Sequence, residues 1–398
     1  PGPVVEGIIA AGGITRDQGD IGSDVYTGFR LTALWQPLDT MSVTLAYTQQ
    51  EIEQEGTPEV DLTLPGQYVQ SRIGVGSGGA HGELLMTDID IVNLIINYDL
   101  GWGEITSSSS WIDYRTTQDA DVSILFNAPY YTGNSKDINS FTQELRMASQ
   151  LDGNLQFVAG LYYDDNEYDL DQPWLWAGDP LDNPNPGLRR YDLFSDQRTK
   201  QEAVFGELSY QLTEHLTATL GARYFDYERI GHANFFILGN EVYADRLLEA
   251  KESGTTYKAN LSYTPTDDIL IYGQWAEGFR LGRGLPTGNP ACDTNNDGLV
   301  DGLGIPQPSK LDSDTSESFE MGIKTSLADN RITLNAAIYQ INWENMPQSI
   351  MVVSGCTLLM NAAESKSEGA EIELQAIITE NFRLDASASY GEAVFTKD

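Results

Sequence analysis

Residues Ser318 to Ile341 read SFEMGIKTSLADNRITLNAAIYQI, and their spacing decides the fold. Before Ala328, Phe319, Met321, Ile323 and Leu327 fall on one face, with Ser318, Glu320, Lys324 and Ser326 on the other. Ala328-Asp329-Asn330 supply turn chemistry, after which Ile332, Leu334, Ala336 and Ile338 return at the same spacing, separated by Arg331, Thr333 and Asn335. A period of two marks a β-strand with one apolar and one polar face, and Asp and Asn tolerate the backbone of a tight turn. The stretch predicts a long antiparallel hairpin.

Outward from it, the pattern repeats. Val25 to Trp35 alternate up to a turn at Pro37-Leu38-Asp39-Thr40, and Val43, Leu45 and Tyr47 come back. A second pair flanks Leu100-Gly101-Trp102-Gly103, with Ile89, Ile91 and Ile95 before it, and alternates less cleanly. Further pairs turn at Leu151-Asp152-Gly153-Asn154, Thr213-Glu214-His215, Pro265-Thr266-Asp267-Asp268 and Thr379-Glu380-Asn381. The count is about 14 strands, most of about 10 to 16 residues, against ~5 to 6 in soluble sheets, a length that suits a tilted bilayer crossing.

Connection length alternates as well. Turns inside each hairpin take about two to five residues, whereas stretches between hairpins, at roughly 54 to 82, 119 to 135, 169 to 198, 231 to 250, 281 to 312 and 344 to 363, read as long loops. One end of the sheet therefore carries tight turns and the other long loops, as in outer-membrane barrels. Trp35, Tyr47, Tyr98, Trp102, Tyr210, Tyr263 and Tyr390 near strand ends fit an interfacial girdle, although aromatics favour strands in any case.

Composition excludes other classes. In 398 residues, 59 Asp and Glu against 23 Lys and Arg give a net charge of -36, which repels nucleic acid. Three histidines and two distant cysteines form no recognisable metal or redox motif. No apolar run reaches the ~18 residues of a membrane-spanning helix, which leaves a barrel open. Catalytic signatures are missing too: there is no nucleophile elbow and no His-Glu-x-x-His, and Gly74-Val75-Gly76-Ser77-Gly78-Gly79 reads as a flexible loop. The chain is expected not to be an enzyme.

Five short segments carry a family resemblance: Phe141-Thr142-Gln143-Glu144-Leu145-Arg146, Leu220-Gly221-Ala222-Arg223-Tyr224, Ile271 to Arg280, Glu317 to Lys324, and Ser367 to Glu373. In this order and spacing the chain resembles the β-barrel portion of TonB-dependent outer-membrane receptors, active transporters of siderophores, vitamin B12, haem and some saccharides. The resemblance implies an all-β, antiparallel up-and-down transmembrane barrel of roughly 22 strands, of which this chain holds about 14. Residues 1–23 are expected as a loop or partial strand, and 24–398 as the barrel segment. Family members begin with a coupling box and a plug and end on an aromatic residue; neither pattern is found here, so a fragment of a longer receptor is expected, its sheet unable to close alone. Localisation in the outer membrane of a Gram-negative bacterium follows, with outer-membrane lipid, a small-molecule ligand and, through a plug, the TonB complex as partners and no nucleic acid. A passive porin, a barrel enzyme such as a lipase and, more remotely, a secreted adhesin are the competing readings.

Site candidates follow from that frame. Glu144, Arg146, Glu207, Arg223, Glu320, Lys324, Arg331, Glu371 and Glu373 are expected on the lumen side, where they line a solute path, hold a plug or simply face water. Asp293, Asn295, Asp297 and Asp301 surround Gly298 at four EF-hand positions, but Gly304 stands where the closing Glu belongs. The loop is thus either a structural calcium site or a polar turn capping its own backbone. No other cofactor is expected. Cys292 and Cys356 lie in neighbouring outer loops, where an oxidising exterior favours a disulfide. Asp171-Gln172-Pro173-Trp174-Leu175-Trp176, with Phe194, forms an aromatic loop that either meets ligand or packs on its neighbours.

Overall fold

The computed structural model describes residues 23–56, 84–121, 130–176, 189–237, 240–288, 292–353 and 356–397; the expected loop or partial strand at 1–23 lies, apart from Ser23, outside them. Fourteen strands form one sheet in chain order, each antiparallel to the next. They are β1 (Asp24–Leu38), β2 (Met41–Glu55), β3 (Leu84–Asp99), β4 (Gly103–Asp121), β5 (Tyr130–Ser149), β6 (Leu155–Trp176), β7 (Arg189–Thr213), β8 (Leu216–Ile237), β9 (Asn240–Thr266), β10 (Ile269–Arg280), β13 (Asp314–Leu327), β14 (Ile332–Val353), β15 (Cys356–Thr379) and β16 (Phe382–Lys397). Between β10 and β13, β11 (Arg283–Gly284) and β12 (Lys310–Leu311) pair separately. The up-and-down all-β architecture expected from the alternation is present.

Register carries the two-faced reading across the sheet. In the β13–β14 hairpin Met321 faces Ile338 and Ile323 faces Ala336, while Glu320 faces Tyr339 and Lys324 faces Asn335. The apolar row continues as Ile338 opposite Ala370 and Ala370 opposite Tyr390. Met321 and Ile338 are 61% and 59% exposed, so this face has no protein partner. Aromatic rings punctuate it at intervals of six residues, Phe29 and Trp35 in β1 and Tyr257 and Tyr263 in β9, about 20 Å along a strand. The expected turn residues Ala328, Asp329 and Asn330 all have positive φ, of 55°, 55° and 62°.

The long connections differ from expectation. β8 and β9 run through most of 231–250, β14 and β15 through most of 344–363, and β6 through Trp176, which makes the expected aromatic loop at Asp171 to Trp176 a strand. The side chains of Trp174, Leu175 and Trp176 lie outside the described residues. Strands β6 to β9 hold 22, 25, 22 and 27 residues, well beyond the ~9 to 11 that cross a bilayer, so the ladder continues above the apolar band. Ladder hydrogen bonds need no apolar face, and the alternation therefore fades where the strands do not.

One break interrupts the ladder. β10 pairs with β9 only as far as Ala276 opposite Lys258, and at the next step a Glu277 carboxylate oxygen accepts the Tyr257 N–H at 2.9 Å. Beyond it β10 stays with β13 up to Arg280 opposite Asp314. Residues 281–288 and 292–313 follow, tied to β8 and β9 through Gly282 and Ser313.

Candidate functional site

Eight of the nine predicted inward charges share the face opposite the apolar band. Glu144 and Arg146 follow from β5, Glu207 from β7, Arg223 from β8, Glu320 and Lys324 from β13, and Glu371 and Glu373 from β15. Several are engaged in the sheet itself. Lys258 Nζ lies 3.0 Å from Glu207 Oε1, Tyr272 donates a 2.5 Å hydrogen bond to Glu320, and the Arg223 guanidinium lies 4.8 Å from the Tyr162 ring centroid. Arg331 stands apart. It sits in the turn and its guanidinium donates to the carbonyls of Ile377 and Ile378 at the end of β15, so it braces the rim rather than lining the face.

The described residues of the next segment, 281–288 and 292–313, form a strap on that same face. Phe279 and Leu281 pack on a cluster of Ala203, Phe225, Tyr227 and Ala250, and the Phe225 and Phe279 rings stack. The Gly282 N–H donates to the buried Tyr227 hydroxyl at 2.7 Å, and that oxygen also lies 3.1 Å from the Ser313 hydroxyl. Both Glu252 carboxylate oxygens accept the Ser313 N–H at 3.1 Å. Only glycine fits at Gly282 and Gly284: a Cβ would stand 2.4 Å from the Leu311 carbonyl oxygen at the first and 2.3 Å from the Glu249 nitrogen at the second.

Beside the strap, the upper inner face of β4 to β9 has a particular charge pattern. Neighbours across the sheet run Ile112, Ser140, Asn166, Thr199, Arg229, Ala250 in one row, with Tyr114 and Tyr168 in the next and Lys136 and Arg246 in the one above. Lys136 Nζ is 5.5 Å from the Tyr114 centroid and 5.6 Å from that of Tyr168. Arg229 Nε donates to the Thr199 hydroxyl at 2.9 Å, and its Nη1 to the Gly282 carbonyl at 3.4 Å. Burial lowers the Arg229 pKa, and the positive Arg283 of the strap acts in the same direction. Sequence reasoning missed all four: Lys136, Tyr168 and Arg229 fall within its strand bounds but beyond the clean apolar alternation it used, and Arg283 falls in its 281–312 loop. Arg223 and Arg229, six residues apart on β8, share a parity, and that spacing was the signal that could have found the second from the first.

The acidic loop is held by its own side chains. Asp293 accepts the N–H groups of Asp297 and Gly298, Asn295 that of Asp297, and Asp301 both the N–H and the hydroxyl of Thr294. These bonds hold the Asp301 pKa below the usual carboxylate value. Among the described residues no three His, Cys, Asp or Glu side chains converge as a metal ligand set. Cys292 and Cys356 form a disulfide, Cα atoms 4.8 Å apart, buried with Val300 and Leu358. It joins the strap to the start of β15.

Comparison with known proteins fits this arrangement. Residues 35–398 match the family model described as TonB dependent receptor-like, beta-barrel. A protein of Acinetobacter baumannii named Probable TonB-dependent siderophore receptor PiuA is 27% identical over 146 residues, 36% of this chain and 18% of its own length. The Ferric-pyoverdine 358 receptor of Pseudomonas putida is 25% identical over 229 residues, 56% of this chain and 24% of its own. Among solved structures, the ferric yersiniabactin uptake receptor FyuA from Yersinia pestis superposes with a TM-score of 0.75 at 17% identity, covering 95% of this chain and 53% of its own. The chain thus spans about half the length of that receptor, and the family match over nearly all of it decides the assignment: this chain belongs to the TonB-dependent receptor β-barrel family.

Proposed function

We propose that this chain is the wall of an outer-membrane receptor that takes up a scarce solute, an iron–siderophore-like complex, with energy delivered through TonB. The observation that carries the reading is the sidedness of the sheet. An exposed apolar band with aromatic rims suits lipid on one face, and a polar, charged face covered by a strap suits a wetted lumen on the other. Relatives named as siderophore receptors support the solute class, and the family's character as transport receptors supports a non-enzymatic role in the outer membrane of a Gram-negative bacterium. The test is uptake of radioactive iron by iron-starved cells with and without the full-length gene. Uptake that requires both the gene and a working TonB supports the proposal; unchanged uptake on deletion, under conditions where the gene is expressed, removes it.

A further inference from the structure

Acidic residues are sorted by face at the top of the sheet. In the three inner rows spanning β4 to β9, from Ile112 to Ala250, from Tyr114 to Leu248 and from Thr116 to Arg246, no position holds Asp or Glu. They hold Lys136, Arg229 and Arg246, and the strap adds Arg283, which follows the Gly282 whose carbonyl accepts from Arg229. On the outer face of the same strands a single row brings together Asp137, Asp169 and Asp196, with Arg115 paired to Asp137 at its β4 end. In a chain with 59 acidic and 23 basic residues, such an inner surface departs sharply from the average.

Among the described residues, the inner cations Arg229 and Lys136 meet no carboxylate partner. Arg229 is half-buried, yet its hydrogen bonds go to a neutral hydroxyl and a carbonyl. Lys136 lies between two tyrosine rings, whose faces attract a cation without neutralising it. Arg198, in the adjoining outer row, instead holds Asp165 at 2.6 Å. Two arginines within electrostatic reach of each other repel, and an anion placed between them removes that cost.

We infer that the inner face around Arg229, Lys136 and the strap residue Arg283 is a binding site for an anionic solute with flat, ring-bearing groups, the tyrosines Tyr114 and Tyr168 offering ring contacts. The inference rests on the uptake reading and narrows its solute to a negatively charged class. Arg229 belongs to the wall and Arg283 to the strap, so a bound anion would tie one to the other.

The test uses the full-length receptor in detergent and three iron(III) chelates of known charge: anionic citrate, a neutral trihydroxamate and a cationic trihydroxamate, with binding followed by tryptophan fluorescence. The anionic chelate should bind tightest, and added salt should weaken it. Arg229→Gln and Arg283→Gln should each weaken it by about tenfold or more, and Arg229→Lys by less. Arg198→Gln, on the opposite face, should leave it unchanged. Arg283→Gln changes an exposed strap residue outside the main ladder, so its result stands even if Arg229→Gln fails to fold. Preference for the neutral or cationic chelate, or anion binding indifferent to both glutamine variants, would overturn the inference while leaving uptake intact. Failure of every chelate to bind, together with no gene-dependent iron uptake, would remove both.

Discussion

Phe225 of β8 and Phe279 of β10 lie face to face with ring centroids 3.6 Å apart and planes 8° from parallel, although β10 has already left the β9 ladder. The stack anchors the first residues of the strap. Phe279→Ala should destabilise the strap locally by about 3 kcal/mol, the cost of emptying a packed aromatic site. Hydrogen exchange at 281–288 should quicken while exchange in the lower halves of β8 and β9 stays as it was; uniform acceleration would show that the stack supports the whole wall instead.

A single oxygen ties the strap further in. Tyr227→Phe keeps the ring but removes the acceptor of the Gly282 N–H, leaving a buried donor unpaired at a cost of about 1 to 3 kcal/mol. Exchange of the Gly282 amide should rise by one to two orders of magnitude on the same scale. No change at that amide would contradict the bond.

The apolar band predicts a gradient. Ile338→Arg, near the middle of a crossing that begins at the 328–331 turn, should cost about 2 to 4 kcal/mol in the full-length receptor, and Leu334→Arg, closer to the rim, about 1 or less. Urea titration of the receptor in lipid vesicles measures both. Equal and negligible costs would mean the band does not face lipid.

At the turn, Ala328 holds a φ of 55° that an alanine adopts only under strain. Ala328→Gly should raise stability by about 1 kcal/mol in the same titration, since the relief is of the order of the left-handed penalty. A loss would indicate that entropy of the unfolded glycine outweighs it.

The acidic loop should respond to pH in one direction. Asp301 is depressed in the folded state, so its contribution is present above the unfolded carboxylate value and is lost as pH falls through the lower, folded one. Cleavage of the loop by pepsin should therefore stay slow down to about pH 4 and rise below it, with Asp301→Asn abolishing the dependence. Because the Asp and Asn oxygens already cap backbone amides, millimolar calcium is expected to leave cleavage unchanged. Protection by calcium would instead support the metal reading.

The legible part of the fold was the part where one face meets an apolar medium. Met321, Ile338 and their in-register neighbours alternate because every second side chain is apolar, and both the hairpin and its turn can be read from that alone. In β3 the contrast weakens for a specific reason: Ile91 and Ile95 face Ile112 and Ser108 on the inner side, so both faces carry isoleucine. Above the band, in rows such as Asp137, Asp169 and Asp196, outer residues are as polar as inner ones, and strands passed for loops. The site was harder still to read. Gly282 meets Tyr227 across 55 residues and Ser313 meets it across 86, distances over which a single sequence carries no pairing signal.

Where β10 parts from β9 after Ala276, the wall has a notch, and what closes it is one thickness of peptide rather than sheet. Its hold includes the Phe225–Phe279 stack, the Tyr227 hydroxyl, the Glu252 carboxylate, the Asn361 amide and the Cys292–Cys356 bond. The strap therefore holds to the wall through side chains and one crosslink, not through any rung of the fourteen-stranded ladder. In this sector the inner surface is set by side-chain contacts and a disulfide, so substitutions there reshape it and leave the ladder as it is.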